Sequence, residues 1–176
     1  KGVGVARELG DGLIYAGDSA NVPSGFATLQ IGTGGIILQD GETASSPRVL
    51  QAARIGFSLQ YHLAHERYSN ALVPIEQLPY GADWRESLER HPSQLRHLVV
   101  HDGHTVGVNA HDAAFIDRHP DALAAFAAKI AVTPAQLRRR IDTIATLGAT
   151  RTTCTPFHGT DWASTMRAYA KAVGFS

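Results

Sequence analysis

The sequence of 176 residues contains a single cysteine, Cys154. One thiol cannot form an internal disulfide, and it cannot supply a cysteine-based metal site from this chain alone. Cysteine this scarce is typical of proteins from a reducing compartment, so we expect a cytoplasmic location. Cys154 lies in a predicted strand, where a small core residue is expected rather than a nucleophile.

An excess of charge of either sign is also missing, because 16 lysines and arginines balance 16 aspartates and glutamates. Without a net positive field, nucleic acid and an anionic membrane are not expected as main partners. Long apolar runs are missing as well. The longest, at 35–38 and 122–128, fall far short of the roughly 20 residues that cross a bilayer. We therefore expect no membrane segment, and partners that are small molecules or proteins.

The sequence has no initiator methionine, since it begins with Lys1, and no charged and then apolar leader follows. We expect that residues are missing upstream. The length suits one domain or part of one, and it is too short for two well-developed domains.

The first part of the sequence predicts a helix followed by a strand. Residues 2–9 carry small and apolar side chains at helical spacing, and Gly10 can end that helix. The short continuous apolar run within 11–16 is typical of a parallel strand that is buried on both faces.

The last part predicts helix, strand and helix. Thr133-Pro134 with Gln136 forms a capping pattern for a helix that reaches about Leu147 and ends at Gly148. A threonine-rich strand at 151–156 follows, and Thr160 can cap a last helix. Helix–strand alternation at both ends favours α/β architecture with parallel strands.

A second apolar run at 27–38 predicts another strand. Its glycines, Gly32, Gly34 and Gly35, indicate a bulge or a close backbone approach. This run therefore joins the predicted sheet, although not as a straight strand.

The middle of the chain is less regular. Ser46 before Pro47 predicts the capped start of a long helix that reaches about Tyr68. Prolines then break the segment 69–121, which we interpret as an irregular, partly helical insertion. A short helix at 121–130 is expected to follow it.

The opening segment 1–14, KGVGVARELGDGLI, is similar to a stretch of luciferase-like oxidoreductases in which a helix of the form xxxARELADG leads into a barrel strand. Further pieces occur in the same order as in a subgroup of that family: Gly34 to Glu42, Ser46 to Val49 opening an alanine-rich helix that ends in Tyr61-His62, His97-Leu98, His104 to Asp112, Thr133-Pro134 through Thr150, and a strand ending in Thr155-Pro156. The resemblance to the bacterial-luciferase-like family covers essentially the whole chain.

The resemblance implies a (β/α)8 TIM barrel of which residues 1–176 form the C-terminal part. Strands near 12–16, 29–38 and 152–156 would be about the sixth to the eighth. Members of the family bind FMN or the deazaflavin coenzyme F-420 at the C-terminal face, where barrel sites generally lie. Because three strands cannot close a barrel, the resemblance also implies a partner. It would be the N-terminal barrel portion or a second copy of the chain in a homo-oligomer.

The implied function is that of a flavin- or deazaflavin-dependent oxidoreductase, acting by monooxygenation or hydride transfer on a small organic substrate. No residue is assigned as its catalytic acid or base. Two alternatives stay open. One is a noncatalytic fragment or subunit that completes a barrel with another chain. The other is a metal-dependent hydrolase built on the central histidines.

Five residues are predicted to bind the cofactor. Lys1, Gly2 and Val3 begin the first helix, where exposed N–H groups suit a phosphate, although a frayed end with a solvated lysine is an alternative. Tyr15 and Gly17 follow the first strand, so a barrel would place them at its catalytic face.

Four residues are predicted to contact the substrate. Asp18 follows the first strand, Gln39 and Asp40 follow the second apolar run, and His158 follows the last strand. Asp40 before Gly41 is explained at least as well by a turn. His158 could orient the substrate or relay a proton, or it could be an exposed loop histidine.

The central histidines carry the metal alternative. His97 and His101 could share one helical face, with His104 nearby, which is the geometry of many two-histidine sites. The pair Asp102-Gly103 would end that helix, and no H-E-x-x-H pattern occurs, so ordinary surface or capping histidines are favoured. His62 and His65 are interpreted as packing or polar-face residues of the long helix.

Overall fold

A computed structural model describes residues 2–15, 21–66, 73–103, 106–153 and 162–174. Within these residues the elements are, in chain order, α1 (Gly2–Leu9), β1 (Leu13–Tyr15), β2 (Leu29–Gly32), β3 (Ile36–Ile37), α2 (Pro47–His65), α3 (Gly81–Glu89), α4 (Arg96–His101), α5 (Ala110–Arg118), α6 (Pro120–Ile130), β4 (Ala131–Val132), α7 (Pro134–Thr146), β5 (Arg151–Thr153) and α8 (Trp162–Val173). Short 3-10 turns lie at Ile75–Gln77 and Ser93–Leu95. The predicted α/β class is confirmed.

The chain divides into two compact units. We call the described residues of Lys1–Asp40, Val132–Pro156 and Asp161–Ser176 the sheet unit, and those of Gly41–Ala131 the helical unit. The predicted insertion, 69–121, falls inside the helical unit.

A parallel sheet organises the sheet unit. Strand β2 lies in the middle, with β1 on one side and β5 on the other. Leu13 pairs with Leu29 and Tyr15 with Ile31, while Gln30 pairs with Arg151 and Gly32 with Thr153. The three strands therefore point the same way, and their order in the sheet is their order along the chain, although β3 and β4 lie between β2 and β5 in the sequence.

The family resemblance implied one strand near 29–38, and this prediction was wrong. The second apolar run breaks after Gly32, and β3 pairs with β4 instead, where Leu38 N donates to Val132 O at 2.9 Å. Gly35 lies at the break with a φ of 148°, a conformation that L side chains rarely adopt. The glycines that indicated a bulge mark the point where the chain leaves the parallel sheet.

The prediction that β1 is buried on both faces was also wrong. The side chain of Ile14 is 75% exposed, whereas Leu29 and Ile31 of β2 are buried. The reason is position, because β1 has β2 as its one strand neighbour in the described sheet. The apolar core of this unit instead joins Ile37, Val132, Leu137 and Ala172, with Ile141, Ala168 and Tyr169 packed against it.

Helix α7 begins as the sequence predicts. Thr133 Oγ1 accepts a hydrogen bond from Gln136 N at 3.2 Å, and Gln136 Oε1 accepts one from Thr133 N at 2.7 Å. Pro134 takes the first helical position, and Gly148 follows the helix with a φ of 90°. This reciprocal cap satisfies donors that a helix start leaves free.

Helix α2 begins where expected, but not for the expected reason. Ser46 makes no side-chain cap, and its Oγ accepts from Thr43 N at 2.9 Å in the preceding turn. The helix runs from Pro47 to His65, and Tyr68 lies outside the described residues.

Helices contribute most of the core of the helical unit. Side chains of α2, α3, α4, α5 and α6 supply large buried groups: Val49, Phe57, Tyr61, Trp84, Leu88, Val100, Phe115, Ile116 and Leu123. The rings of Phe57 and Tyr61 lie 5.0 Å apart, as do those of Tyr61 and Phe115. Helix α5, which the sequence analysis did not predict, is capped by Asn109, whose Oδ1 accepts from Asp112 N at 2.7 Å.

Within the part of the chain that the structure describes, no helix is both long and apolar enough to span a bilayer.

Candidate functional site

An open cleft lies beside the carboxyl end of β2 in the sheet unit. Its volume is about 520 Å³, within the range of small-molecule sites. One wall is the backbone of Gly32, Thr33 and Gly34, at the end of the strand and directly after it. The other wall is α7, which presents Gln136, Arg139, Arg140, Thr143 and Ile144. Ligands of parallel α/β proteins bind at the carboxyl ends of strands, so this cleft is the principal candidate site.

The two glycines of the cleft are not required by packing among the described residues. A Cβ built on Gly32 or on Gly34 would meet nothing within 4 Å, and neither residue has a left-handed φ. By contrast, a Cβ on Gly12 would lie 2.6 Å from Thr28 O. What Gly32 and Gly34 provide is a bare backbone that a ligand can approach closely.

Thr33 fixes this backbone in place. Its side chain is 5% exposed, and its Oγ1 lies 3.2 Å from Thr152 Oγ1 and 3.0 Å from Tyr169 OH. The same hydroxyl donates to Thr153 O at 3.3 Å. The glycine segment is therefore held to β5 and α8 and is preorganised rather than loose.

The α7 wall carries an excess of positive charge. Arg140 Nη1 donates to Gly34 O at 3.0 Å, which ties the helix to the glycine segment. Among the described residues no ion pair includes Arg139 or Arg140. The nearest acid on the helix, Asp142, pairs with Arg138 at 3.1 Å. Two guanidinium groups thus remain uncompensated beside the cleft, a pattern suited to an anionic ligand.

Some of the residues predicted to bind the cofactor are described. Gly2 and Val3 begin α1, and a Cβ on Gly2 would meet nothing within 4 Å. Tyr15 ends β1, level with Ile31 of β2, and its OH donates to Asn21 O at 3.1 Å. Lys1 and Gly17 lie outside the described residues.

Two of the residues predicted to contact the substrate, Gln39 and Asp40, are described, and neither lines the cleft. Gln39 and Asp40 follow β3 rather than β2, and Gln39 Nε2 donates to Ser164 Oγ at 3.0 Å. Asp40 is exposed in a turn before Gly41, whose φ is 79°. Asp18 and His158 lie outside the described residues.

A second cluster of polar groups lies in the core of the helical unit. Asp112 is 1% exposed, and its carboxylate accepts from Trp84 Nε1 at 2.9 Å and lies 2.6 Å from His62 Nε2. Its backbone N donates to Asn109 Oδ1. Because His62 is 4% exposed and Trp84 is fully buried, a substrate cannot reach this carboxylate without opening the core.

Two further histidines surround Trp84. The ring of His65 lies 5.3 Å and that of His111 5.1 Å from the indole. Burial lowers the pKa of both histidines, and the nearby carboxylates of Glu66 and Asp112 act in the opposite direction. These groups therefore favour the neutral form and belong to the packing of the unit.

Two histidines of the metal alternative, His97 and His101, are described. His101 lies beside Glu66, with 2.5 Å between Nε2 and Oε1, and His97 is exposed. His104 lies outside the described residues. Within the residues that the structure describes, no group of three or more potential ligands could hold a metal ion.

In comparisons with known proteins, no family model, no curated protein and no solved structure matches this chain.

Proposed function

We propose that this chain forms the C-terminal strands of a (β/α)-barrel oxidoreductase that uses FMN or coenzyme F-420 on a small organic substrate. The observation that carries the proposal is the sheet β1–β2–β5. Its strands are parallel, their order in the sheet is their order along the chain, and α1 and α7 precede its two edge strands. Barrel strands are likewise parallel, ordered as along the chain and connected through helices. The family resemblance of the sequence pieces points to the same class.

The cleft suits one part of such a cofactor. Its walls offer guanidinium, amide and hydroxyl groups and a bare glycine backbone, which fit the phosphate-bearing side chain rather than the ring. The start of α1, which does not line the cleft, is a separate group of N–H donors near Gly2, and Gly2 and Gly4 leave space beside them. We propose that these groups bind and orient the cofactor by its anionic end.

The cofactor itself would supply the hydride or oxygen chemistry. The contribution of this chain is then positional. Arg139 and Arg140 would neutralise the anionic end, while Thr33 keeps the glycine segment rigid through its bonds to Thr152 and Tyr169. No described side chain is assigned as a catalytic acid or base.

A complete barrel requires further strands. In the described sheet β1 and β5 each have one strand neighbour. Ile14 within β1 is 75% exposed, and Leu9 at the end of α1 is 83% exposed. We propose that an N-terminal barrel portion or a second copy of the chain pairs with these open edges. The same surface also favours the second candidate function, a noncatalytic subunit that only completes a barrel.

Native mass spectrometry with absorbance spectroscopy separates the two candidates. A tagged copy of the protein would be purified from its own cells without denaturant, and its mass would be compared with 18.8 kDa for this chain. We expect a heavier polypeptide or assembly that carries the mass and spectrum of FMN or F-420. An assembly without cofactor, inactive with reduced flavin and with reduced F-420, would contradict the oxidoreductase and favour the noncatalytic subunit.

A further inference from the structure

We propose that the cleft between Gly32–Gly34 and Arg139–Arg140 is a binding site for the phosphoryl group of a small-molecule ligand. The inference depends on the geometry of the sheet unit alone. It does not require that the protein be an oxidoreductase, and it names no particular phosphate ester.

The cleft pairs a bare backbone with a cationic wall. Gly32 and Gly34 have open space where a side chain would be, although neither needs to be glycine for its backbone conformation. Arg139 and Arg140 line the same cleft from α7. Phosphate sites combine closely approachable backbone with guanidinium groups, because oxygen atoms must come within hydrogen-bond distance of both.

The positive charge of Arg139 and Arg140 has no acidic partner among the described residues. Asp142, the acid on the same helix, is paired with Arg138, and Arg140 makes its described hydrogen bond to a neutral carbonyl. A guanidinium has five N–H donors, so that single bond leaves most of Arg140 available. Two adjacent cations match a phosphate dianion better than a single carboxylate.

The size and the rigidity of the cleft also suit such a ligand. A cleft of about 520 Å³ accommodates a small molecule that extends beyond its phosphoryl group. Thr33, 5% exposed, holds the glycine segment to neighbouring elements, so little order has to be created on binding. The balanced charge of the whole chain argues against a polyanion such as nucleic acid as the ligand.

The test is a titration of the full chain with inorganic phosphate and then pyrophosphate at constant ionic strength, followed by amide chemical shifts. We expect saturable shifts that include the amides of Gly32, Thr33 and Gly34. Arg139→Gln should weaken binding at least about tenfold, because a charge-assisted hydrogen bond is lost. The double variant Gly32→Ala/Gly34→Ala should weaken it similarly, because two methyl groups then stand between the anion and the backbone.

Arg151→Gln is the matched control. It removes the same charge from an exposed arginine of the sheet unit that does not line the cleft. We expect its affinity for phosphate to stay within about twofold of the original, which separates a built site from general attraction to positive charge. Circular dichroism of every variant checks that weaker binding is not unfolding.

Three results would overturn the site: no saturable shift, unchanged affinity in both cleft variants, or an equal loss in Arg151→Gln. A competition experiment then assigns the source of the phosphoryl group. Displacement of phosphate by FMN but not by riboflavin supports the site and assigns it to the cofactor. Binding of phosphate without displacement by FMN supports the site and assigns it to another phosphate ester, even where the oxidoreductase proposal fails.

Discussion

The sheet unit and the helical unit use their polar side chains in opposite ways. In the sheet unit, Arg139 and Arg140 stand beside an open cleft without an acidic partner among the described residues. In the helical unit, Asp112 is buried and bonded to His62 and Trp84. A buried carboxylate with its partners in place stabilises one arrangement of a core, whereas unpaired charge on a rigid wall is available to a ligand.

Glycine shows the same contrast. A Cβ on Gly81 in the helical unit would lie 1.7 Å from Ile75 O, while a Cβ on Gly34 in the sheet unit would meet nothing within 4 Å. One glycine is required by the fold, and the other is free for function. Substitutions in the two units should therefore differ in their effect on stability.

Gly81→Ala should be the most damaging substitution. Because the new Cβ would meet a backbone oxygen, the turn at Ile75–Gln77 or the start of α3 must move. We expect a loss of about 4 kcal/mol in the free energy of unfolding. Urea unfolding followed by the fluorescence of buried Trp84 measures it, in a Trp162→Phe background that removes the other tryptophan.

The matched control is Gly34→Ala. With open space and an ordinary φ, it should change the free energy of unfolding by less than about 1 kcal/mol, on the stabilising side. Circular dichroism of both variants in urea gives the comparison. Equal losses in the two variants would show that the units do not differ in the way proposed.

Asp112→Ala should cost about 3 kcal/mol. The change removes the acceptor of Trp84 Nε1 and the partner of His62 Nε2, and leaves both polar groups buried. Asp117→Ala on the same helix is the control, since the side chain of Asp117 is 72% exposed and 3.6 Å from Arg54. If the two variants unfold at the same urea concentration, the buried cluster contributes no more to stability than the exposed side chain of Asp117 does.

Acid should weaken the helical unit before it weakens the sheet unit. Burial lowers the pKa of His65 and His111 in the folded state, so the unfolded chain binds protons more readily. The contribution of these two neutral histidines to the free energy of unfolding is complete above their unfolded pKa of about 6.5. It is lost as the pH falls from there through their lowered pKa in the folded state. Hydrogen exchange of each unit, measured from about pH 7 to about pH 5, should show this order.

A histidine variant sharpens the pH prediction. His111→Gln should reduce the pH dependence of the helical unit, while His97→Gln, which changes an exposed histidine, should leave it unchanged. A pH profile that is the same in both variants and in the original chain would contradict an origin in buried histidine.

The sequence predicted those features whose signals are local. Thr133, Pro134 and Gln136 lie within four residues of one another, and the cap they form is present. The glycines at 32–35 correctly indicated an irregular strand, but the departure of β3 to pair with β4 depends on a partner almost 100 residues away. The residues that a glycine contacts in the fold cannot be predicted from the sequence next to it.

The candidate site was missed for the same reason. Gly32 and Gly34 drew attention as positions of close approach, yet Arg140, which bonds Gly34, is 106 residues further along the chain. The pair His62 and Asp112 is separated by 50 residues. Each of these residues has an ordinary local context, and only tertiary packing brings them together.

The starts of α7 and α2, for both of which the sequence predicts a side-chain cap, should differ only slightly in their contribution to stability. Thr133→Ala removes the acceptor of Gln136 N and should cost about 1 kcal/mol, measured by urea unfolding. Ser46→Ala should cost less, because Ser46 makes no side-chain cap and accepts instead from Thr43 N in an exposed turn. An equal or larger loss for Ser46→Ala would mean that this turn, rather than a cap, stabilises the start of α2. The rule that a serine before a proline caps a helix would then have given the right boundary through a different interaction.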